Sequence, residues 1–157
     1  CFFNNNDLII PDVGNSHSEE VNILKNYNNI VDPYFFGWPW LEAYFDANYK
    51  NTPVTEEVKN EQIENTIYPN YLFPHGNDYC AIIGGTGLSN SNKWNKYFFI
   101  GDFCTGTIWA INSEDETRIT VLNKNTIPFS ITTINDSGNG TLLIGTTSGQ
   151  IFELTLP

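Results

Sequence analysis

Three runs decide the fold of this chain: Tyr97-Phe98-Phe99-Ile100-Gly101, then Thr107-Ile108-Trp109-Ala110-Ile111-Asn112, then Arg118-Ile119-Thr120-Val121-Leu122. Each is short and rich in β-branched and aromatic residues, which reads as strand. Turn-forming residues link them, as in Asp102 to Gly106, and links this short join antiparallel neighbours. Working outward, Cys80 to Gly85 supplies a strand before them, and Phe129 to Ile134, Thr141 to Thr146 and Gln150 to Leu156 follow. Ser137 to Gly140 and Ser148-Gly149 are the turns between these last three. The expectation is a four-stranded blade over 79–122 and a three-stranded last blade over 129–156. Repeated four-stranded meanders stacked face to face build a β-propeller, so the fold class expected is all-β. A sandwich or barrel uses the same strand pattern.

The sequence has 157 residues, 40% hydrophobic and 15% aromatic, enough buried ring area to offset the entropy of ordering the chain. Seven Lys and Arg stand against 18 Asp and Glu, a net charge of -11, which repels phosphate backbones and argues against a nucleic-acid partner. No apolar run approaches the ~20 residues of a transmembrane helix. There is no Met and the first residue is Cys1, so the expectation is a processed product or an internal piece. A last blade one strand short, ending at Pro157, suits a propeller ring closed by a strand borrowed from the other terminus.

The amino half is less regular. Asp7 to Ile10 and Glu20 to Leu24 read as strands around the turn Pro11 to Ser18, and 26–70 as mostly loop, an insertion long enough to be functional or capping. Within it, Thr55 can cap one or two solvated helical turns reaching Asn65, where only Val58 and Ile63 are apolar.

Three phrases in order resemble the glucose/sorbosone dehydrogenase family. Asp12-Val13-Gly14-Asn15 with Glu19-Glu20-Val21-Asn22 looks like its acidic turn and Glu-Ile-Asn strand, and Phe36-Gly37-Trp38-Pro39 like its Tyr-Gly-Trp-Pro. Ile82-Ile83-Gly84-Gly85, Tyr97 to Phe103 and Gly106-Thr107-Ile108-Trp109 look like the closing blades of the branch that includes hedgehog-interacting-protein-like chains, and Gly149 to Leu154 like the terminal strand. The resemblance implies a six-bladed β-propeller, of which this chain is the carboxyl-terminal two to three blades. It also implies a secreted or periplasmic protein that oxidises a sugar hydroxyl with pyrroloquinoline quinone and calcium. The alternative is a non-catalytic extracellular propeller that binds a protein or glycan.

On that resemblance Gly14 and Asn15 match the turn whose carbonyls face calcium, a hard cation that accepts neutral oxygens, and Glu20 an acidic position beside it. A solvated acidic turn is the plain alternative. The proton-abstracting His of the family falls outside this chain; His75 is either a top-face group or a structural hydrogen-bonding one. Quinone carboxylates call for fixed cations, and the matching loops carry Cys104 in one and Thr126, Pro128 and Phe129 in the other, with Lys124 nearby. Thr86-Gly87-Leu88 also replaces the Tyr-Arg-Gly that follows the double glycine in many relatives. Trp38, Trp40 and Tyr44 with Phe35 and Phe36 serve either as filler between sheets or as a sugar-stacking platform, while Trp109 and Phe99 belong to the core. Cys80 opens one strand and Cys104 follows the end of its antiparallel partner, so the meander brings both to one end. They are a disulfide pair or two buried thiols.

Overall fold

The computed structural model describes residues 6–27, 33–47, 53–76, 79–115, 117–128 and 130–157, so Cys1 and Phe129 lie outside the described residues. Three main sheets form. The first holds β1 (Leu8–Asp12), β2 (Ser18–Leu24) and, further along the chain, β5 (Tyr71–Pro74), in the order β1-β2-β5. Between β2 and β5 lie a two-residue-stranded hairpin, β3 (Leu41–Glu42) and β4 (Phe45–Asp46), and the helix α1 (Glu56–Glu64). The central sheet is the four-stranded meander β6 (Ile82–Gly87), β7 (Tyr97–Asp102), β8 (Ile108–Asn112) and β9 (Arg118–Leu122). The third is β10 (Ile131–Asp136), β11 (Leu142–Thr146) and β12 (Ile151–Leu154). All pairings within these sheets are antiparallel.

The inner strands of the central sheet, β7 and β8, are buried on both faces, which is why they read as nearly continuous apolar runs. The register Phe98↔Ile111 and Ile100↔Trp109 places these four on one face, where they meet Ile9, Val21, Ile23 and Phe73 of the first sheet. Phe99 opposite Ala110, with Ile108, points the other way into Ile131, Ile134, Leu142 and Ile144 of the third. Sheet stacks on sheet in chain order, as consecutive blades of a β-propeller do. A Cβ at Gly101 would run into Ile131 Cδ1, so the absence of a side chain there sets how closely two blades approach. As expected, Phe99 and Trp109 are core, 0% and 4% exposed.

The segment 26–70 contains more order than a loop reading anticipates. The helix α1 is capped by Thr55, whose hydroxyl accepts from the Val58 N–H, and it buries no residue. The sequence reading also passes over β5. Its Pro74 pairs opposite Ser18 at the end of an edge strand, a place where proline costs the ladder little.

The registers bring one set of turns to a single edge of the stack. His75 N–H donates to the His17 carbonyl, the Cys80 N–H to Asp102 Oδ2, the Asn125 N–H to the Thr105 carbonyl and the Thr147 N–H to the Ser130 carbonyl. The described turn residues at 13–17, 75–76, 79–81, 103–107, 123–128 and 147–150 therefore share this edge.

Candidate functional site

On that edge Asp12, Val13, Gly14, Asn15, Glu20, Phe36, Trp38, Leu41 and Glu42 line a cavity of about 350 Å³. The turn after β1 is shaped from a distance, by Glu42 of the inserted hairpin. Glu42 Oε1 accepts from the backbone N–H groups of Asn15 (2.9 Å), Ser16 (2.8 Å), His17 (2.8 Å) and Ser18 (3.2 Å), and Oε2 from the Ser16 hydroxyl (3.1 Å). Burial alone would push this carboxyl up, but the donors of His17, Ser16 and Ser18 bring it down to about 2. The turn folds back so closely that a Cβ at Gly14 would overlap the Ser18 carbonyl and approach Glu42 Oε1.

Glu20 is buried and reaches the same cavity from β2, with Oε1 accepting from the Ala43 N–H at 2.5 Å. Burial drives its carboxyl up; the Ala43 donor opposes this, and the charges of Asp12, Glu42 and Glu19 add to it, leaving it at about 7. Asp12 is likewise raised, by burial and by Glu19, against the Val13 N–H. Two carboxyls facing one cavity thus resist losing their protons together, the electrostatic condition that a bound cation relieves.

Of the residues singled out by sequence, Gly14, Asn15, Glu20 and Trp38 come together around this cavity. Trp38 is 49% exposed and so stands outside the filler role, as does Tyr44 at 60%. Trp40, buried, does act as filler, and its indole N–H donates to Gln62 Oε1 at 2.7 Å. His75 does not line the cavity. Its Nε2 pairs with Glu19 Oε1, while Glu19 Oε2 accepts from the N–H groups of Gly14 (3.3 Å) and Ile82 (3.0 Å). Glu19 thereby ties the cavity turn to the start of the central sheet, with His75 behind it. Glu42 and Ala43 were not singled out. Glu42 lies 24 to 27 residues from the N–H groups it collects, and no spacing rule connects a carboxylate in an irregular insertion to a distant turn.

Cys80 and Cys104 form a disulfide, Cα atoms 5.8 Å apart, exposed on the same edge. Asp102 braces it: Oδ2 accepts from the Cys80 and Ala81 N–H groups and Oδ1 from the N–H and hydroxyl of Thr105.

A calcium ion, which the sequence resemblance implies, fits the donor chemistry. Among the described residues no three His, Cys, Asp or Glu side chains converge as a ligand set. Calcium, however, takes backbone carbonyls alongside carboxylates, and Asp12 and Glu20 with the Gly14-Asn15 turn offer that mixture. The quinone fits poorly. Lys25 is paired with Asp7, Lys59 sits over Trp40, Lys93 over Trp94, Lys96 against Glu114, and Arg118 over the Phe73 ring at 4.7 Å. Lys124 stands just before Asn125 on that edge, and the loop 103–106 carries the disulfide instead of a cation.

Neither a protein-family profile nor a curated protein sequence matches this chain. Solved structures do. A glucose dehydrogenase superposes with a TM-score of 0.64 at 14% identity over 97% of this chain and 41% of its own, and a second glucose dehydrogenase gives 0.56, 15%, 89% and 39%. The soluble aldose sugar dehydrogenase of Escherichia coli, in its apo form, gives 0.58 at 14% identity over 95% and 40%. The chain spans about two fifths of the length of these neighbours, the share that two to three blades of six would occupy, and it has the β-propeller fold of sugar dehydrogenases.

Proposed function

We propose that this chain supplies the cation-binding and sugar-facing part of a glucose/sorbosone dehydrogenase-like propeller, and that the whole protein oxidises a sugar hydroxyl. The observation that carries this is the convergence of Asp12, Glu20, the Gly14-Asn15 turn and Trp38 on one cavity. Calcium held there by Asp12, Glu20 and the turn carbonyls would supply Lewis-acid polarisation. In this chain Glu42 fixes the turn, Glu19 anchors it to the next blade, Trp38 and Phe36 exclude water and offer ring faces to a sugar, and the catalytic base comes from elsewhere in the protein. The exposed disulfide suits a secreted or periplasmic setting, and no helix among the described residues is long and apolar enough to cross a membrane.

A second reading, a non-catalytic extracellular propeller that binds a protein or glycan, is favoured by the sequence of the loops 102–106 and 125–130, which contains no Lys or Arg. Calcium titration of the chain by calorimetry, with proton release recorded in two buffers, tests the site. Binding is expected to expel protons near pH 7 and to be lost in Glu20→Gln; absence of both overturns the cation site. Quinone added to the whole calcium-loaded protein with a sugar then separates the readings, since turnover supports the enzyme and no spectral change at saturation supports the binding module.

A further inference from the structure

The inserted hairpin carries a feature that the cavity does not use. At its tip Tyr44 stacks on Tyr68, ring centroids 4.9 Å apart and planes 10° from parallel, and next to it Phe45 stacks on His17 at 4.9 Å and 23°. Tyr44, Phe45 and Tyr68 are 60%, 49% and 43% exposed. Exposed aromatics held in stacked pairs are already ordered, so a ligand laid on their free faces costs little further side-chain entropy. Both pairs adjoin elements that line the cavity without lining it themselves. Glu42, two residues before Tyr44, lines the cavity, and His17 belongs to the turn whose N–H groups Glu42 collects.

We infer that the Tyr44–Tyr68 and Phe45–His17 pairs form a platform for the further rings of an uncharged oligosaccharide whose terminal unit enters the cavity between Asp12, Glu20 and Trp38. This rests on the proposed sugar-facing role of the cavity and extends it to a polymer end as the substrate class. Aromatic faces, negative at the centre, suit the C–H edges of pyranose rings. The net charge of -11 and the carboxylates at the cavity oppose a sulfated or uronic glycan. A strand of neutral glucan meets neither repulsion.

The probes are glucose and the malto- and cello-oligosaccharides up to the hexamer, titrated by calorimetry into the full chain without quinone, with a heparin hexasaccharide as the charged control. Affinity is expected to rise about tenfold, ~1.4 kcal/mol, from monomer to hexamer in one of the two series. Tyr44→Ala with Tyr68→Ala should erase that gain and leave glucose binding unchanged. In the unaltered chain, saturation-transfer NMR should show the rings beyond the terminal one in contact with protein. Equal affinity at every length, a gain that survives the double variant, preferential heparin binding, or self-association of the chain that the double variant abolishes each overturns the platform. Because the readout is binding, loss of quinone-dependent turnover would sink the enzymatic reading and leave this one standing.

Discussion

Glu42 shows how one side chain can set the shape of a site. Its carboxylate takes the place of several missing backbone partners for the turn 13–18, and ionised acceptors make the stronger hydrogen bonds. The folded pKa, about 2, lies below the unfolded value of 4.5. The stabilisation is therefore fully present above pH 4.5 and is lost as pH falls through the folded value, about 3 kcal/mol in all. Glu20 runs the other way, since its pKa is raised to about 7: keeping it buried costs nothing below pH 4.5 and most above pH 7. With chelator present, Glu42→Gln should lower the unfolding free energy by about 2–3 kcal/mol at pH 7, a gap that closes as pH approaches 2. Glu20→Gln should raise stability at pH 8 and leave it nearly unchanged at pH 4.5. Urea titrations at these pH values check both, and a Glu42→Gln chain as stable as the parent at pH 7 would contradict this role.

At the scale of elements, the sequence made the carboxyl half readable because its strands follow one another through short turns. The apolar run Phe98, Phe99, Ile100 was legible as strand, and the structure adds that both faces are covered. The same logic fails for β5, which pairs with β2 across some 46 intervening residues and ends in a proline. It fails again for the hairpin β3–β4, whose two-residue strands are too short for any alternation to show. Contacts made over such separations leave no local period to detect. The link between β6 and β7 is the contrasting case, since the 24-residue separation of Cys80 and Cys104 closes a loop worth about 3 kcal/mol on the chain-entropy estimate. Replacing both by Ser should reduce stability by about that amount under oxidising conditions. Reductant should bring the parent chain down to the double variant and leave the variant itself unaffected. A parent indifferent to reductant would mean that Asp102, through Cys80, Ala81 and Thr105, already holds these loops without the covalent tie.

Across the whole molecule, the candidate cavity was only half visible in the sequence. Gly14, Asn15 and Glu20 sit in one phrase and Trp38 in another, whereas Glu42 and the aromatic tip gain their meaning only once the insertion folds back onto the turn. The central sheet joins everything else, because its two faces complete two separate apolar clusters. Ile100 and Ile108 are both fully buried, one in each cluster. If the three sheets are one stack, damage to either interface must be felt by the same cooperative unit. Ile100→Ala and Ile108→Ala should each cost about 2–5 kcal/mol and shift a single unfolding transition, seen at the same midpoint by far-ultraviolet dichroism and tryptophan fluorescence. The double variant should lose close to the sum if the two faces act independently, because the clusters share backbone but no side chain. Separate transitions for the two probes in the parent chain, or an Ile108→Ala variant that melts the third sheet while the first retains hydrogen-exchange protection, would show that the blades are independent units joined only by their turns.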